Sequence, residues 1–315
     1  MLNGFRVIEL ATYIAAPAAA GILADWGADV IKVEAPGGDP GRRNSGALSP
    51  AGPNAVFEMD NRGKRGICLD ISKPEGRKAL LELIRSADAF VTNLRPSALR
   101  RAGLDWPALE TVNPRLIYAS VTGFGLAGAD ADRPGFDVAA FWARAGVAGL
   151  MVPKGEEPFP LRTGLGDHTC GLATALGVMT AAYERHTSGR GRLVETSLLR
   201  SGVYAVGGDL AIQLRYGRVA STKGRKQSPV PLINFFQSAD GQWVCLMPRT
   251  RADWPKMAAA VGRPELAEDP RFLDDKLQRE NVEALVTALD EAFAELTYQE
   301  MAERLTAADL VWSPV

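Results

Sequence analysis

Short apolar runs alternate with helical stretches along most of this 315-residue chain. Arg6 to Leu10 (RVIEL) and Asp29 to Glu34 (DVIKVE) read as strands. Between them Ala15 to Trp26 is Ala- and Leu-bearing, helical in propensity and closed by Gly27. The alternation continues with strands over Gly66 to Ile71, Ala89 to Asn93 and Leu116 to Thr122. An amphipathic helix over Pro74 to Ser86 separates the first two, with Ser72 and Pro74 in capping positions. Strands alternating with helices predict a largely parallel sheet covered on both faces, Rossmann-like in its first strand–helix–strand unit. Asp167 to Arg185 reads as the best-marked helix, with a second from Glu195 to Tyr216. Phe235 to Met247 reads as a hairpin turning at Asp240-Gly241, and helices follow to Ala307. The pattern predicts a large α/β domain over 1–195, a linker over 196–230 and a small α+β domain over 231–315.

Composition narrows the chemistry. A formal net charge of −1 gives no reason to expect nucleic acid or an anionic membrane as partner. No apolar run approaches the roughly 20 residues of a membrane span, and the N-terminus does not read as a signal peptide. Three cysteines, odd in number and far apart, fit neither a disulfide frame nor a zinc site, so the cytoplasm is the expected compartment. With only His168 and His186 available, a serine triad or a multi-histidine metal site has little to draw on. The first strand–helix turn, Ala11 to Pro17, lacks the G-x-G-x-x-G cradle a dinucleotide pyrophosphate needs, which excludes a nicotinamide cofactor there.

Asp167 is the sharpest candidate. It follows Thr163-Gly164-Leu165-Gly166 and precedes a long helix rich in small residues. One reading is an N-cap that satisfies a backbone N–H. The other uses the same physics: a carboxylate at a helix N-terminus stays ionised, the glycines admit a bulky ligand, and the anion attacks a thioester to form a mixed anhydride. His168 is expected to point elsewhere, because helix neighbours one apart do not share a face. His186 is expected in the polar loop after the helix. The cations of Asn61-Arg62-Gly63-Lys64-Arg65, of Asn93-Leu94-Arg95-Pro96 and of Arg100-Arg101 are each weak signals; together they can hold the phosphates of an ADP-containing molecule. Asp130 to Arg133 reads as a solvated loop within the Gly-rich stretch from Gly123 to Gly135.

These residues resemble the class III CoA-transferase family, which includes formyl-CoA and crotonobetainyl-CoA transferases and the α-methylacyl-CoA racemases. The resemblance rests on Val7-Ile8-Glu9-Leu10, Ala16-Pro17, the run Leu23 to Glu34, Asn61 to Arg65, Asn113-Pro114-Arg115-Leu116-Ile117, Ser188-Gly189-Arg190-Gly191 and Asp269-Pro270-Arg271-Phe272. It covers nearly the whole chain. It implies a Rossmann-like large domain, a small α+β domain and a homodimer of interlocked rings, with no prosthetic group. The implied activity is transfer of coenzyme A from an acyl-CoA donor to a carboxylic acid acceptor. Asp167 takes the place of the family nucleophile, which works through anhydride and aspartyl-CoA thioester intermediates. The CoA-contacting positions carry over to Tyr13, Leu69, Asn93, Leu94 and Arg101, with Asp137 lining the site and no metal.

Departures from the family refine the expectation. Racemases of the family carry a histidine base where Phe136 stands, and phenylalanine cannot exchange a proton. That favours a transferase over an acyl-CoA racemase or isomerase acting at the α-carbon. Ile14 replaces a glutamine that binds a small acyl group in formyl-CoA transferases, which points to a larger or more apolar acid. Pro134 and Ala35 replace two cations used on CoA, and Gly224-Arg225-Lys226 departs from the usual Gly-Asn-Arg. Family members continue past Ser313-Pro314-Val315 with a segment that returns to the large domain and closes the ring. A chain without it is expected to expose apolar surface, and a third reading is therefore an inactive, truncated CoA-binding remnant.

Overall fold

The computed structural model describes residues 1–43 and 54–315. They form two compact units, residues 1–151 with 157–219 and residues 152–156 with 220–315. In the larger unit β1 (Arg6–Leu10), α1 (Ala15–Asp25), β2 (Asp29–Glu34), α2 (Ala55–Asn61) and β3 (Arg65–Cys68) come first. Next are α3 (Pro74–Arg85), β4 (Ala89–Thr92), α4 (Pro96–Ala102), α5 (Trp106–Val112) and β5 (Ile117–Thr122). A π-helical segment over Val138–Arg144 leads to α6 (Val147–Met151), α7 (Leu165–Ser188), β6 (Leu193–Ser197), α8 (Leu198–Ala205) and α9 (Gly207–Tyr216).

Among the described residues six strands pair in the order β3-β2-β1-β4-β5-β6, every pair parallel. The apolar runs are nearly continuous because both faces are covered. One face packs Ile8, Ile31, Phe90 and Tyr118 against Leu80, Ile84 and Leu109 from α3 and α5. On α1 and α7 small residues allow close approach: a Cβ on Gly171 would lie 3.0 Å from the Cβ of Ala18. The strand order reverses between β1 and β4, and open α/β sheets bind ligands outside the carboxyl ends of strands at such a point. There Asn93, just past β4, clamps the chain just past β1. Its Oδ1 accepts from the Thr12 N–H at 3.0 Å and its Nδ2 donates to the Thr12 carbonyl at 2.7 Å.

Several expectations shift. Glu195 begins no helix: Leu193–Ser197 is the sixth strand, and Ser197 caps α8 by accepting from the Arg200 N–H. The 196–230 stretch, expected as a linker, carries α8 and α9, and the units divide at Val219. α7 starts two residues before Asp167 and runs to Ser188, so His186 lies in its last turn. Lys73 rather than Ser72 occupies the N-cap of α3; Ser72 instead hydrogen-bonds Asp70.

The smaller unit holds an antiparallel sheet ordered β7-β8-β9, from β7 (Asn234–Gln237), β8 (Trp243–Leu246) and β9 (Trp312–Pro314). The hairpin turns at Gly241, where φ is +82°. Its helices are α10 (Asp253–Ala260), α11 (Asp275–Glu280), α12 (Val282–Ala294) and α13 (Tyr298–Ala307). Phe236 stacks on Phe293, with centroids 4.5 Å apart, inside a core that includes Trp254, Met257, Leu285 and Leu289.

Candidate active site

At the switch point a cavity of about 400 Å³ opens, and Asp167 stands in its wall. The loops after β1 and β4 supply Tyr13, Ile14, Asn93 and Leu94. The loop after β5 supplies Gly123 and Phe136, and α8 supplies Leu198. Gly123 and Gly135 touch: a Cβ on Gly123 would lie 2.9 Å from the Gly135 Cα, so side chains at both would force the loop open. Tyr13 takes a left-handed backbone, φ +63°, and meets the Phe136 ring edge to face at 5.5 Å. Such a conformation costs a non-glycine residue of order 1 kcal/mol or more and persists only where neighbours enforce it. Here Asp39 Oδ1 accepts from the Tyr13 N–H at 3.1 Å.

Asp167 is not the N-cap. Gly164 is, with φ +89°, and Asp167 lies in the first turn of α7, where an α-helix offers backbone N–H groups no acceptor four residues back. Asp137 braces that start: its Oδ2 accepts from the Gly164 N–H at 2.9 Å, and its Oδ1 from the Val138 N–H at 2.8 Å. Gly166 lets Phe141 pack against the turn, for a Cβ there would sit 2.6 Å from the Phe141 ring. Asp167 is only 9% exposed. Burial, and then the Asp137 carboxylate, push its pKa up to about 7; His168 draws it down and Asp60 pushes it further up. The expectation that a helix N-terminus keeps this acid freely ionised is therefore corrected: burial, and then the Asp137 charge, raise its pKa.

His168 does not line the cavity, and its Nε2 lies 3.0 Å from Asp60 Oδ1. That hydrogen bond raises the His168 pKa against the opposing effect of burial. Asp60, at the end of α2, gave no signal in the sequence. Of the residues carried over from the resemblance, Tyr13, Asn93 and Leu94 share the cavity with Asp167 and Phe136. Leu69 and Arg101 stand apart from it. The Leu69 N–H extends β2 by donating to the Glu34 carbonyl, its side chain packs on the core, and Arg101 is exposed on α4. Asp137 is 5% exposed and lies behind the cavity wall rather than in it.

The basic cluster before β3 is committed internally. Lys64 is buried against Glu9 Oε2 at 2.6 Å, Arg62 pairs with Asp25, and Arg65 with Asp29. Cations at the cavity come instead from Arg95 and Arg133, the latter from the run expected to be only a solvated loop. Arg225, at the departure from the usual Gly-Asn-Arg, donates to the Phe235 carbonyl and pairs with Asp290 within the smaller unit. Among the described residues no group of three His, Cys, Asp or Glu side chains is placed to hold a metal ion, and no helix is long and apolar enough to cross a membrane.

A sequence-family model described as CoA-transferase family III matches residues 2–315. The chain belongs to that family. It is 34% identical over its full length to (R)-2-hydroxy-4-methylpentanoate CoA-transferase of Clostridioides difficile, of which it covers 79%. Cinnamoyl-CoA:phenyllactate CoA-transferase of Clostridium sporogenes is 38% identical over 86% of this chain and 67% of its own. Among solved structures, a CaiB/BaiF family protein from Brucella suis superposes with a TM-score of 0.89 at 29% identity, covering this whole chain and 83% of that one. With relatives named as CoA-transferases across its length, this chain is a CoA-transferase enzyme, and those relatives use CoA thioesters as substrates.

Proposed function

We propose that this enzyme moves CoA from an acyl-CoA donor to a carboxylic acid acceptor with Asp167 as covalent nucleophile. The observation that carries the reading is a nearly buried carboxyl in the wall of a cavity at the switch point of the sheet. The Asp167 carboxylate attacks the donor thioester carbon and the CoA thiolate leaves, which forms an acyl-aspartyl anhydride. The thiolate then attacks the aspartyl carbon, releasing the donor acid and forming an aspartyl-CoA thioester. An acceptor carboxylate displaces the thiolate to give a second anhydride. Thiolate attack on the acceptor's acyl carbon releases the new acyl-CoA and frees Asp167. The first-turn N–H groups of Gly166 and Asp167 are available to stabilise the oxyanions that develop.

Tyr13, Asn93 and Leu94 contact CoA in this reading, and Arg95 joins them. Leu69 and Arg101 enter only if CoA extends beyond the cavity. The names of the two relatives above carry the 2-hydroxy acids (R)-2-hydroxy-4-methylpentanoate and phenyllactate. With apolar walls at Ile14, Leu94, Phe136 and Leu198, a 2-hydroxy acid with an aliphatic or aromatic side chain is the acceptor class that fits. The active form is a homodimer.

Intact mass spectrometry after mixing with acyl-CoA thioesters, with and without hydroxylamine, tests the nucleophile. An acyl- or CoA-sized adduct that maps to Asp167, becomes a hydroxamate there and is absent from Asp167→Asn supports it. Transfer by Asp167→Asn at an unchanged rate would refute it. Deuterium uptake from solvent at the α-carbon, with no adduct, would replace it by racemase chemistry.

A further inference from the structure

We propose that His168, held by Asp60, is a positioning residue whose imidazolium charge keeps Asp167 ionised and ready to attack. The proposal rests on Asp167 being the nucleophile, and it gives a role to a histidine that the sequence alone left idle.

The geometry begins with Asp60. It is 1% exposed, its Oδ1 faces His168 Nε2 at 3.0 Å, and its Oδ2 is buried with no hydrogen-bond partner among the described residues. A carboxylate at that depth needs a compensating cation. Lys64 also feels the Asp60 charge, but its ammonium is engaged by Glu9 Oε2 at 2.6 Å, the Pro17 carbonyl at 2.8 Å and Asn61 Oδ1 at 2.9 Å. The imidazole is therefore the cation-forming group in hydrogen-bond contact with Asp60, and it answers that carboxylate best when doubly protonated. Gly164 makes room for it. A Cβ there would lie 3.0 Å from His168 Cε1 and 3.2 Å from Nδ1, so the ring is seated against the N-cap of α7.

The charged groups that act on Asp167 are Asp137 from the segment before the π-helix, Asp60 from α2 and His168 from α7 itself. Three buried carboxyl groups thus act on one another's surroundings with a single, half-buried imidazole among them. Asp137 and Asp60 both favour the protonated, unreactive acid at Asp167, and His168 alone opposes them. The hydrogen bond His168 donates to Asp60, with the nearby Asp167 and Asp137 charges, in turn favours the imidazolium. Because consecutive helix residues diverge, His168 acts on Asp167 through the field and does not touch substrate.

Two measurements test this. The rate of adduct formation at Asp167 is followed against pH in the unsubstituted enzyme, in His168→Gln and in His168→Arg. Loss of the cation moves the acid limb to higher pH. In His168→Gln the rate at about pH 6 falls roughly tenfold relative to that at about pH 9, as expected when removal of an adjacent charge displaces the limb by about one pH unit. His168→Arg restores the limb. Separately, NMR titration follows the His168 ring, which is readily assigned because the chain has one other histidine, His186. His168 titrates above its ordinary value, and Asp60→Asn and Asp167→Asn each lower it. An unmoved acid limb in His168→Gln, or a His168 titration indifferent to Asp167→Asn, overturns the proposal. If no adduct forms in the unsubstituted enzyme the nucleophile assignment fails, and the NMR titration still decides the coupling.

Discussion

At Asp167 the folded chain holds a carboxyl whose pKa is about 7 rather than the ordinary 3.8. As the attacking species is the carboxylate, turnover falls on acidification below about pH 7, approaching tenfold per pH unit, and a pH–rate profile reads it. The raised pKa acts on stability in the opposite sense. The folded protein binds this proton more tightly than the unfolded chain, so the contribution is favourable below pH 3.8 and is lost as pH rises through about 7. Above neutrality the ionised group costs on the order of 4 kcal/mol at most. Asp167→Asn is therefore expected to lose turnover yet melt at a higher temperature at about pH 8; a lower melting temperature would contradict the burial argument. The sequence pointed to Asp167 because flanking glycines and a small-residue helix are local features. It suggested a lowered rather than a raised pKa, because burial, and then the approach of Asp137 and Asp60, come from distant parts of the chain.

The elements that carry the site are tied together beneath it by buried charges. Glu9 on β1 contacts Lys32 of β2 and Lys64 ahead of β3, each at 2.6 Å. Lys32 also reaches Asp39 at 2.9 Å, and Asp39 holds the Tyr13 N–H at the cavity. Replacing Glu9 by Leu takes the carboxylate from the buried Lys64 and leaves the buried Lys32 with Asp39 alone. Denaturant unfolding is expected to show a loss of about 3–5 kcal/mol, the usual result of removing one partner from a buried pair. An exposed network would show well under 1 kcal/mol. Strands β1, β2, β4 and β5 were legible from their apolar runs, since burial on both faces leaves few polar positions. β6 was not: Leu193–Ser197 reads LVETS, an edge strand with polar residues that runs directly into α8. The cations at 61–65 were visible as charge, but their acidic partners Glu9, Asp25 and Asp29 lie more than a helix away in sequence.

For the whole molecule, one face of α7 offers a test of the proposed homodimer. Leu165, Leu172, Leu176 and Tyr183 are all exposed and fall on a single stripe of the helix, 55%, 60%, 67% and 81% accessible. A stripe of that length on a long helix is unusual on a surface left to water. In the homodimer proposed above, this stripe is the surface a symmetric interface would bury. Light scattering coupled to size exclusion is expected to give twice the chain mass, and Leu172→Glu with Leu176→Glu to move it toward the monomer. A monomer at every concentration before substitution would exclude the dimer.

Taken alone, the sequence determined the parallel α/β architecture, the antiparallel hairpin near the end of the chain, the family resemblance and the identity of the acidic candidate. Each of these is written in short-range periodicity or in contiguous motifs. Tertiary structure alone decided that Asn93 clamps Thr12 at the switch point, that Asp137 stands behind the cavity and that Lys64 is spent on Glu9. It also brought Asp60 to His168 across more than a hundred residues. Those outcomes depend on which strands become neighbours and which side chains lose their water, and neither quantity is local to the chain.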